Sequence, residues 1–356
     1  MSFRTSVRPR TLLAGGAALV AGAAVLLLLV VPAAALAIAR QSAVDLRTCN
    51  GAVALCDRPL DRVAFATAHN AMSSADAGFT NPNQRGSIEE QLDAGIRGLL
   101  IDSVEARPTS RKSIALTELR SQALEDAREE LGDNGLAAMQ TIIGRRLLRP
   151  TGPPEPYLCH IVCELGATKM VDALHDVRGW LDDHPREVLV IVIQDLVTPA
   201  RTEWVFRESG LQELVYTVRP GAALPTLRTM IDANRRVIVM AEAHGGGDWY
   251  PGGYESLLKE TPYDNPTVNS LRSDASCRPN RGNESNPLFL VNHWVAVYPP
   301  KPSNAFIVNQ RGFLLNRVRR CGRIRRAFPN LIAVDFASIG DVVGVARIVN
   351  GIPAGG

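Results

Sequence analysis

The sequence has little net charge: 39 basic against 36 acidic residues leave a formal +3. That excess is too small to recruit a polyanion, so a nucleic-acid partner is excluded. Even this small charge is confined to one place. Positions 1–39 contain Arg4, Arg8 and Arg10 and no acidic residue, and the rest of the chain has 36 residues of each sign. There is no internal repeat, which removes solenoids and propellers. No glycine-rich phosphate loop follows the first strand candidate, which removes the common nucleotide-binding motifs. Histidine is scarce, at six residues in 356. Apolar residues make up 46% and charged residues 21%, the balance of a globular chain.

The three arginines precede an uncharged run from Thr11 to Ala39, wholly apolar between Ala24 and Val31. A basic start, an apolar stretch and the Ala-x-Ala triplets at Ala35–Ala37 and Ala37–Ala39 read as a secretory signal. The run also reaches the ~20 residues of a membrane span, so a signal anchor is the equal alternative, with a buried core helix as the third. Both export readings put the residues after Arg40 outside the cytoplasm. Residues 1–39 are therefore a signal peptide or signal-anchor helix, 40–48 a linker and 49–356 the folded part. The six cysteines agree with export. Proximity pairs Cys49 with Cys56 and Cys159 with Cys163, leaving Cys277 with Cys321, out of 15 possible pairings. A zinc site built on Cys159, His160 and Cys163 is the rival, and its spacing is poor.

Strand-like and helix-like segments alternate through the folded part. Strand candidates are Val63–His69, Ile96–Ile101, Tyr157–Val162, Glu187–Ile193, Arg236–Ala241, Leu288–Val291 and Leu331–Phe336. Helix candidates include Ile88–Ala94, Thr117–Leu148, Met170–Asp183 and Val308–Phe328. Continuous Val/Ile/Leu runs separated by helices predict parallel strands covered by helices. The fold class is α/β: about seven countable strands come close to an eight-stranded, TIM-type barrel, preceded by the apolar signal or anchor helix, with a doubly wound sheet as the alternative. Residues 106–156 form an insertion between the second and third strands, either a lid or a packing helix. The arginines at 317, 319, 320, 323, 325 and 326 read either as a lipid-attracting patch or as a solvated helix face, and the neutral total favours the face.

In such a barrel the chemistry sits at the carboxyl ends of the strands. The residues there are His69-Asn70, Asp102, His160, Gln194-Asp195, Glu242 with His244, Asn292-His293-Trp294 and Asp335. Two histidines suit proton transfer near neutral pH. Asn70, Asp102 and Gln194 or Asp195 offer oxygen ligands, which suit Ca²⁺ or Mg²⁺. A hard cation with two imidazoles suggests phosphodiester cleavage.

Four blocks then resemble one family. Phe65–Ser73 (FATAHNAMS), Gln91–Asp102 (QLDAGIRGLLID), Leu158–Cys163 and Glu187–Asp195 are similar, in order, to motifs of the phosphatidylinositol-specific phospholipase C X-domain-like phosphodiesterases. Cys277–Arg281 and Leu288–Asn292 have counterparts in secreted members, so the resemblance spans about Cys49 to Gly351. It implies a distorted (β/α)8 TIM-type barrel that cleaves a phospholipid-type diester. His69 is then the first catalytic histidine, His160 the general acid, and Asn70, Asp102 and Gln194 the Ca²⁺ (or Mg²⁺) ligands. Arg97, Asn292, His293 and Trp294 are the expected substrate-binding residues. The implied partners are a phospholipid or phosphodiester substrate and a membrane surface, met by a monomer.

Two positions depart from the calcium-dependent branch. Leu100 and Gln194 stand where it has glutamates, leaving Asp102 as the one firm carboxylate. Two alternatives follow: a barrel that binds headgroups without turnover, and a glycerophosphodiesterase-like enzyme.

Overall fold

The computed structural model describes residues 46–354, with 119–147 described only in part and 161 and 220 left out. The expected signal or anchor helix at 1–39, most of the 40–48 linker and most of the Thr117–Leu148 helix lie outside the described residues. Among those described, no helix is long and apolar enough to cross a membrane.

Among the described residues, seven parallel strands form the wall. They are β1 (Phe65–Ala68), β2 (Gly98–Pro108), β6 (Leu189–Asp195), β7 (Val237–Ala241), β8 (Leu258–Glu260), β9 (Leu288–His293) and β10 (Pro329–Val334). Their hydrogen-bonded order is β7-β6-β2-β1-β10-β9-β8. The expected eighth strand is missing from the described residues, and no ladder joins β7 to β8, so a closed barrel is not shown. The physical reason lies in the strand count. After β7 the chain makes a loop, one helical turn at Gly253–Ser256 and only three residues of β8. Along the β7 edge there are only isolated parallel bridges, Val215 with Val237 and Ala241 with Gly252.

The remaining strands, β3 (Ala115–Thr117), β4 (Glu155–Leu158) and β5 (Thr168–Lys169), form an antiparallel ribbon on β2. β2 runs several residues beyond the Ile101 expected as its end, because Val104 and Ala106 remain buried and Thr117 and Leu158 supply partners. Residues 106–117 and 150–156 of the expected insertion therefore contribute to this ribbon. The strand expected at Tyr157–Val162 is a ribbon strand, antiparallel to β2 rather than part of the wall.

Alternation along each wall strand sorts its side chains into two cores. Phe65, Leu100, Val190, Val192, Ile238, Met240, Leu288, Leu290 and Leu331 pack together on the inner face. Ala66, Leu99, Ile101, Ile191, Ile193, Val239, Phe289, Val291 and Ile332 face the helices. Helices among the described residues include α1 (Ile88–Asp93), α2 (Met170–Asp183), α3 (Pro199–Glu208), α4 (Leu227–Asp232), α5 (Pro302–Val308), α6 (Arg311–Arg325) and α7 (Val342–Val349), of which α4 packs Leu227 and Met230 into the inner core. α1 starts on a capping box between Ser87 and Glu90, which holds its first turn. Of the arginine cluster, Arg319, Arg323 and Arg326 are exposed, as a solvated face requires, while Arg317 and Arg325 on α6 are buried.

Candidate active site

The same alternation fixes what lines the mouth. Two residues beyond the last apolar inner-face position, each of six strands carries a polar group: Asp102 after Leu100, Gln194 after Val192, Glu242 after Met240, Glu260 after Leu258, Asn292 after Leu290, and Asp335 after Ala333. His69 follows β1 in the same phase.

His69 is fixed from several sides. Its Nδ1 lies 2.8 Å from Asp335 Oδ1, and both side chains are largely buried. Asn83 Nδ2 donates to the same carboxylate oxygen at 3.1 Å. The His69 ring stacks on Trp294, with centroids 3.7 Å apart and planes 6° from parallel. Gln84 ties the strand ends together, donating to the carbonyls of His69 and Val334 and accepting from the N–H of Ala337. Asn70 then turns the chain at φ 46°, a left-handed angle that asparagine tolerates.

His160 reaches the mouth differently. β4 descends along the projecting end of β2, and the N–H of Cys159 donates to the carbonyl of Asp102 at 3.3 Å. His160 Nδ1 then lies 3.1 Å from Asp102 Oδ2. Asn70 joins this pair. With its carbonyl oxygen toward His160, it accepts from Nδ1 at 3.1 Å, and its nitrogen donates to Oδ2 and Oδ1 of Asp102 at 3.2 and 3.3 Å. Two histidine–carboxylate pairs therefore meet on the adjacent residues His69 and Asn70. In each pair the carboxylate engages Nδ1, which fixes the ring and its tautomer.

The other expected site residues divide. Gln194 is the exposed residue of β6 and sits in register with Asp102, so it faces the mouth. Asp195 faces away, and its carboxylate accepts from the N–H groups of Ala243, His244 and Gly245. Asn292 is buried and donates to Glu260 and to the carbonyl of Thr261, so it supports the mouth from beneath. Trp294 covers His69. Two corrections are needed. Arg97 precedes β2 at the opposite end of the wall, where it pairs with Glu187 at 2.6 Å and lies over Trp180, so it does not line the mouth. His293 is 0% exposed; Nε2 is 2.9 Å from the Val308 carbonyl and Nδ1 3.4 Å from Arg317. It faces α5 and α6 because it follows Asn292 by one residue in the strand. Burial and the Arg317 charge push its pKa down to about 3, so it stays neutral.

A second polar cluster was not expected. Arg281, from the loop after β8, bonds Glu242 at 2.8 and 3.2 Å and Glu260 at 2.6 and 3.2 Å. Tyr254 Oη donates to Glu260 at 2.6 Å. Burial raises the Glu242 carboxyl above its ordinary pKa, and Arg281 opposes that shift. Arg281 can lie this close because Gly282 follows it at φ 86°, where a Cβ would meet the Leu258 carbonyl at 2.1 Å. The sequence puts Glu242 at a strand end and Arg281 in the Cys277–Arg281 block, but no local pattern joins them. β8 is three residues long, and Arg281 lies twenty-one positions beyond Glu260.

All six cysteines pair as proximity predicts: Cys49–Cys56, Cys159–Cys163 and Cys277–Cys321. Among the described residues, no group of three or more histidine, cysteine, aspartate or glutamate side chains is placed to hold a metal ion. Asp102, the carboxylate of the expected ligand set, is engaged by His160 and Asn70. Asn70 and Gln194 add only neutral amide oxygens. This donor set does not fit a resident hard cation.

The chain is similar to several known proteins. A PI-PLC X domain-containing protein 1 from Arthroderma benhamiae is 26% identical over 325 residues, covering 85% of this chain and 90% of that protein. The PI-PLC X domain-containing protein At5g67130 from Arabidopsis thaliana is 25% identical over 316 residues, covering 82% of this chain and 62% of that protein. A solved phosphatidylinositol-specific phospholipase C from Staphylococcus aureus overlays with a TM-score of 0.47 at 13% identity, over 83% of this chain and 94% of that one. A calcium-dependent phosphoinositol-specific phospholipase C from Pseudomonas sp. gives 0.29 at 14% identity, over 53% and 59%. The family model described as PI-PLC X 1 matches residues 144–350, more than half of the chain. The chain belongs to the PI-PLC X domain family.

Proposed function

We propose that this chain is an exported phospholipase C-like phosphodiesterase working by two-histidine acid–base catalysis. The supporting observation is the meeting of two histidine–aspartate pairs on the adjacent residues His69 and Asn70. Asp335 fixes the His69 ring so that Nε2 takes a proton from the attacking hydroxyl, either the headgroup's own or water. The oxygen so released attacks phosphorus. As the bond from phosphorus to the lipid alkoxide breaks, His160, oriented by Asp102 and Asn70, gives that oxygen a proton. A headgroup bearing a neighbouring hydroxyl leaves as a cyclic phosphate, and the diacylglycerol leaves neutral. Because the donor set does not fit a resident cation, no step is routed through Ca²⁺ or Mg²⁺. The matching expectation is that EDTA changes turnover by less than about twofold, and a larger loss rejects the cation-free scheme.

The substrate partner in this reading is a phospholipid presented at a membrane surface. Leu196, Tyr263, Phe306 and Ile307 are large apolar side chains left exposed on segments that follow the carboxyl ends of β6, β8 and β9, on the rim of the mouth. Burying one such side chain is worth roughly 1.5–3 kcal/mol. Phe306→Ser with Ile307→Ser should weaken sedimentation with phosphoinositide-containing vesicles at least about tenfold. Three disulfides suit an oxidising compartment, which supports export.

The decisive assay measures release of a phosphorylated headgroup from phosphatidylinositol vesicles, other glycerophospholipids and glycerophosphodiesters. His69→Ala and His160→Ala should each lower turnover by about 10²–10⁴-fold. Equal, background-level rates for the native chain and both variants on every substrate would reject catalysis and leave a headgroup-binding barrel.

A further inference from the structure

We infer that Thr117 and Glu164 are positioning residues for His160, and that the ribbon on β2 sets the geometry of the second histidine. The inference rests on the two-histidine reading. His160 lies on no wall strand. It sits in the loop that follows β4, and its alignment with Asp102 depends on what holds that loop. The Cys159–Cys163 disulfide closes the loop, with both residues fully buried. That closure fixes the loop's size but not its position over the mouth.

Its position is fixed at Thr117. The N–H of Cys163 donates to Thr117 Oγ at 2.8 Å. The Thr117 hydroxyl donates in turn to Glu164 Oε2 at 2.7 Å, and the Thr117 N–H donates to Oε1 at 3.1 Å. Thr117 and Glu164 are 7% and 2% exposed, so the loss of any of these bonds leaves a buried polar group unsatisfied. Thr117 pairs with Ala106 on β2, the strand that carries Asp102 four residues earlier. The loop of His160 is thus referenced to the strand of its own carboxylate. Three further contacts close the frame. Thr80 N–H donates to the Leu165 carbonyl and Ala167 N–H to the Ser113 carbonyl. Gly166 packs so tightly that a Cβ would meet Phe79 at 2.4 Å. None of these groups touches the reacting atoms.

The test replaces the hydroxyl alone. With a soluble short-chain diester, Thr117→Val should lower kcat about 10–100-fold with KM within about twofold, because a small misplacement of a catalytic group has effects of this size. Thr117→Ser, which restores the hydroxyl, should return kcat to within about threefold of the native chain. NMR of the imidazole signals separates this inference from the function it rests on. In Thr117→Val the His160 signals should move while those of His69 stay, even in a chain without turnover. If Thr117→Val does not fold, Glu164→Gln carries the same test at nearly constant volume. Native kcat with unmoved His160 signals in Thr117→Val, or in Glu164→Gln where that variant serves, overturns the inference. So does a Thr117→Ser variant as impaired as Thr117→Val.

Discussion

His69 and His160 each meet an aspartate through Nδ1, in unlike surroundings. His69 extends a wall strand, its backbone bonded to Val334 and its ring pressed on Trp294. His160 hangs on a stapled loop and is aligned through a ribbon outside the wall. The first placement is a by-product of forming the parallel sheet. The second depends on a few polar contacts that the sheet does not enforce. The difference teaches that a paired site need not be equally robust on its two sides.

The comparison breaks most sharply at the carboxylates. Asp335→Asn and Asp102→Asn each keep the shape but lose the charge that orients an imidazole, and each should lower kcat by about 10²–10⁴-fold. If only one does so, the two pairs are not equivalent. Next in size, Cys159→Ser with Cys163→Ser should lower kcat about 10–100-fold by releasing His160. The same exchange at Cys49 and Cys56, remote from the mouth, should leave kcat unchanged while the melting temperature falls. Equal kcat losses in the two double variants would erase the distinction between a held loop and a held wall.

A pH experiment probes the wall side. His293 is buried neutral beside Trp294, with its folded pKa lowered to about 3. The unfolded chain binds a proton near pH 6.5 and the folded chain does not, so this group's stabilising effect is present above that pH. It is lost as pH falls from about 6.5 towards 3, with a slope of up to about 1.4 kcal/mol per pH unit. Denaturant titrations of the native chain and His293→Gln should converge on acidification. The smallest effect belongs to the stack. Trp294→Phe should lower kcat no more than about tenfold, because a ring still covers His69 and the Asp335 bond remains.

How much of this was legible follows from the same contrast. Each wall strand's apolar run ends in a polar residue of fixed phase, so His69, Asp102 and Gln194 could be placed at the mouth from alternation alone, whereas Asn70 reaches it through the turn at φ 46°. The phase argument also misassigns where it slips by one: His293 adjoins the inward Asn292 and therefore points outward. Arg97 lies at the wrong end of its strand, which a family motif does not reveal. β3, β5 and β8 have three, two and three residues, too short for periodicity to register. Pairings between distant segments, such as Thr117 with Glu164 or Arg281 with Glu260, leave no local trace at all.

The seam between β7 and β8 has a consequence for solubility. Two strand edges that do not pair with each other are ordinarily templates for another chain. Here loop carbonyls cover part of both: Pro251 takes the N–H of Ala241, and Arg281 takes the N–H of Glu260. Arg281 thus serves twice, its side chain tying Glu242 to Glu260 across the gap and its backbone occupying the β8 edge. A loop shortened around Arg281 would bare adhesive backbone on β8, and the first symptom would be aggregation during folding.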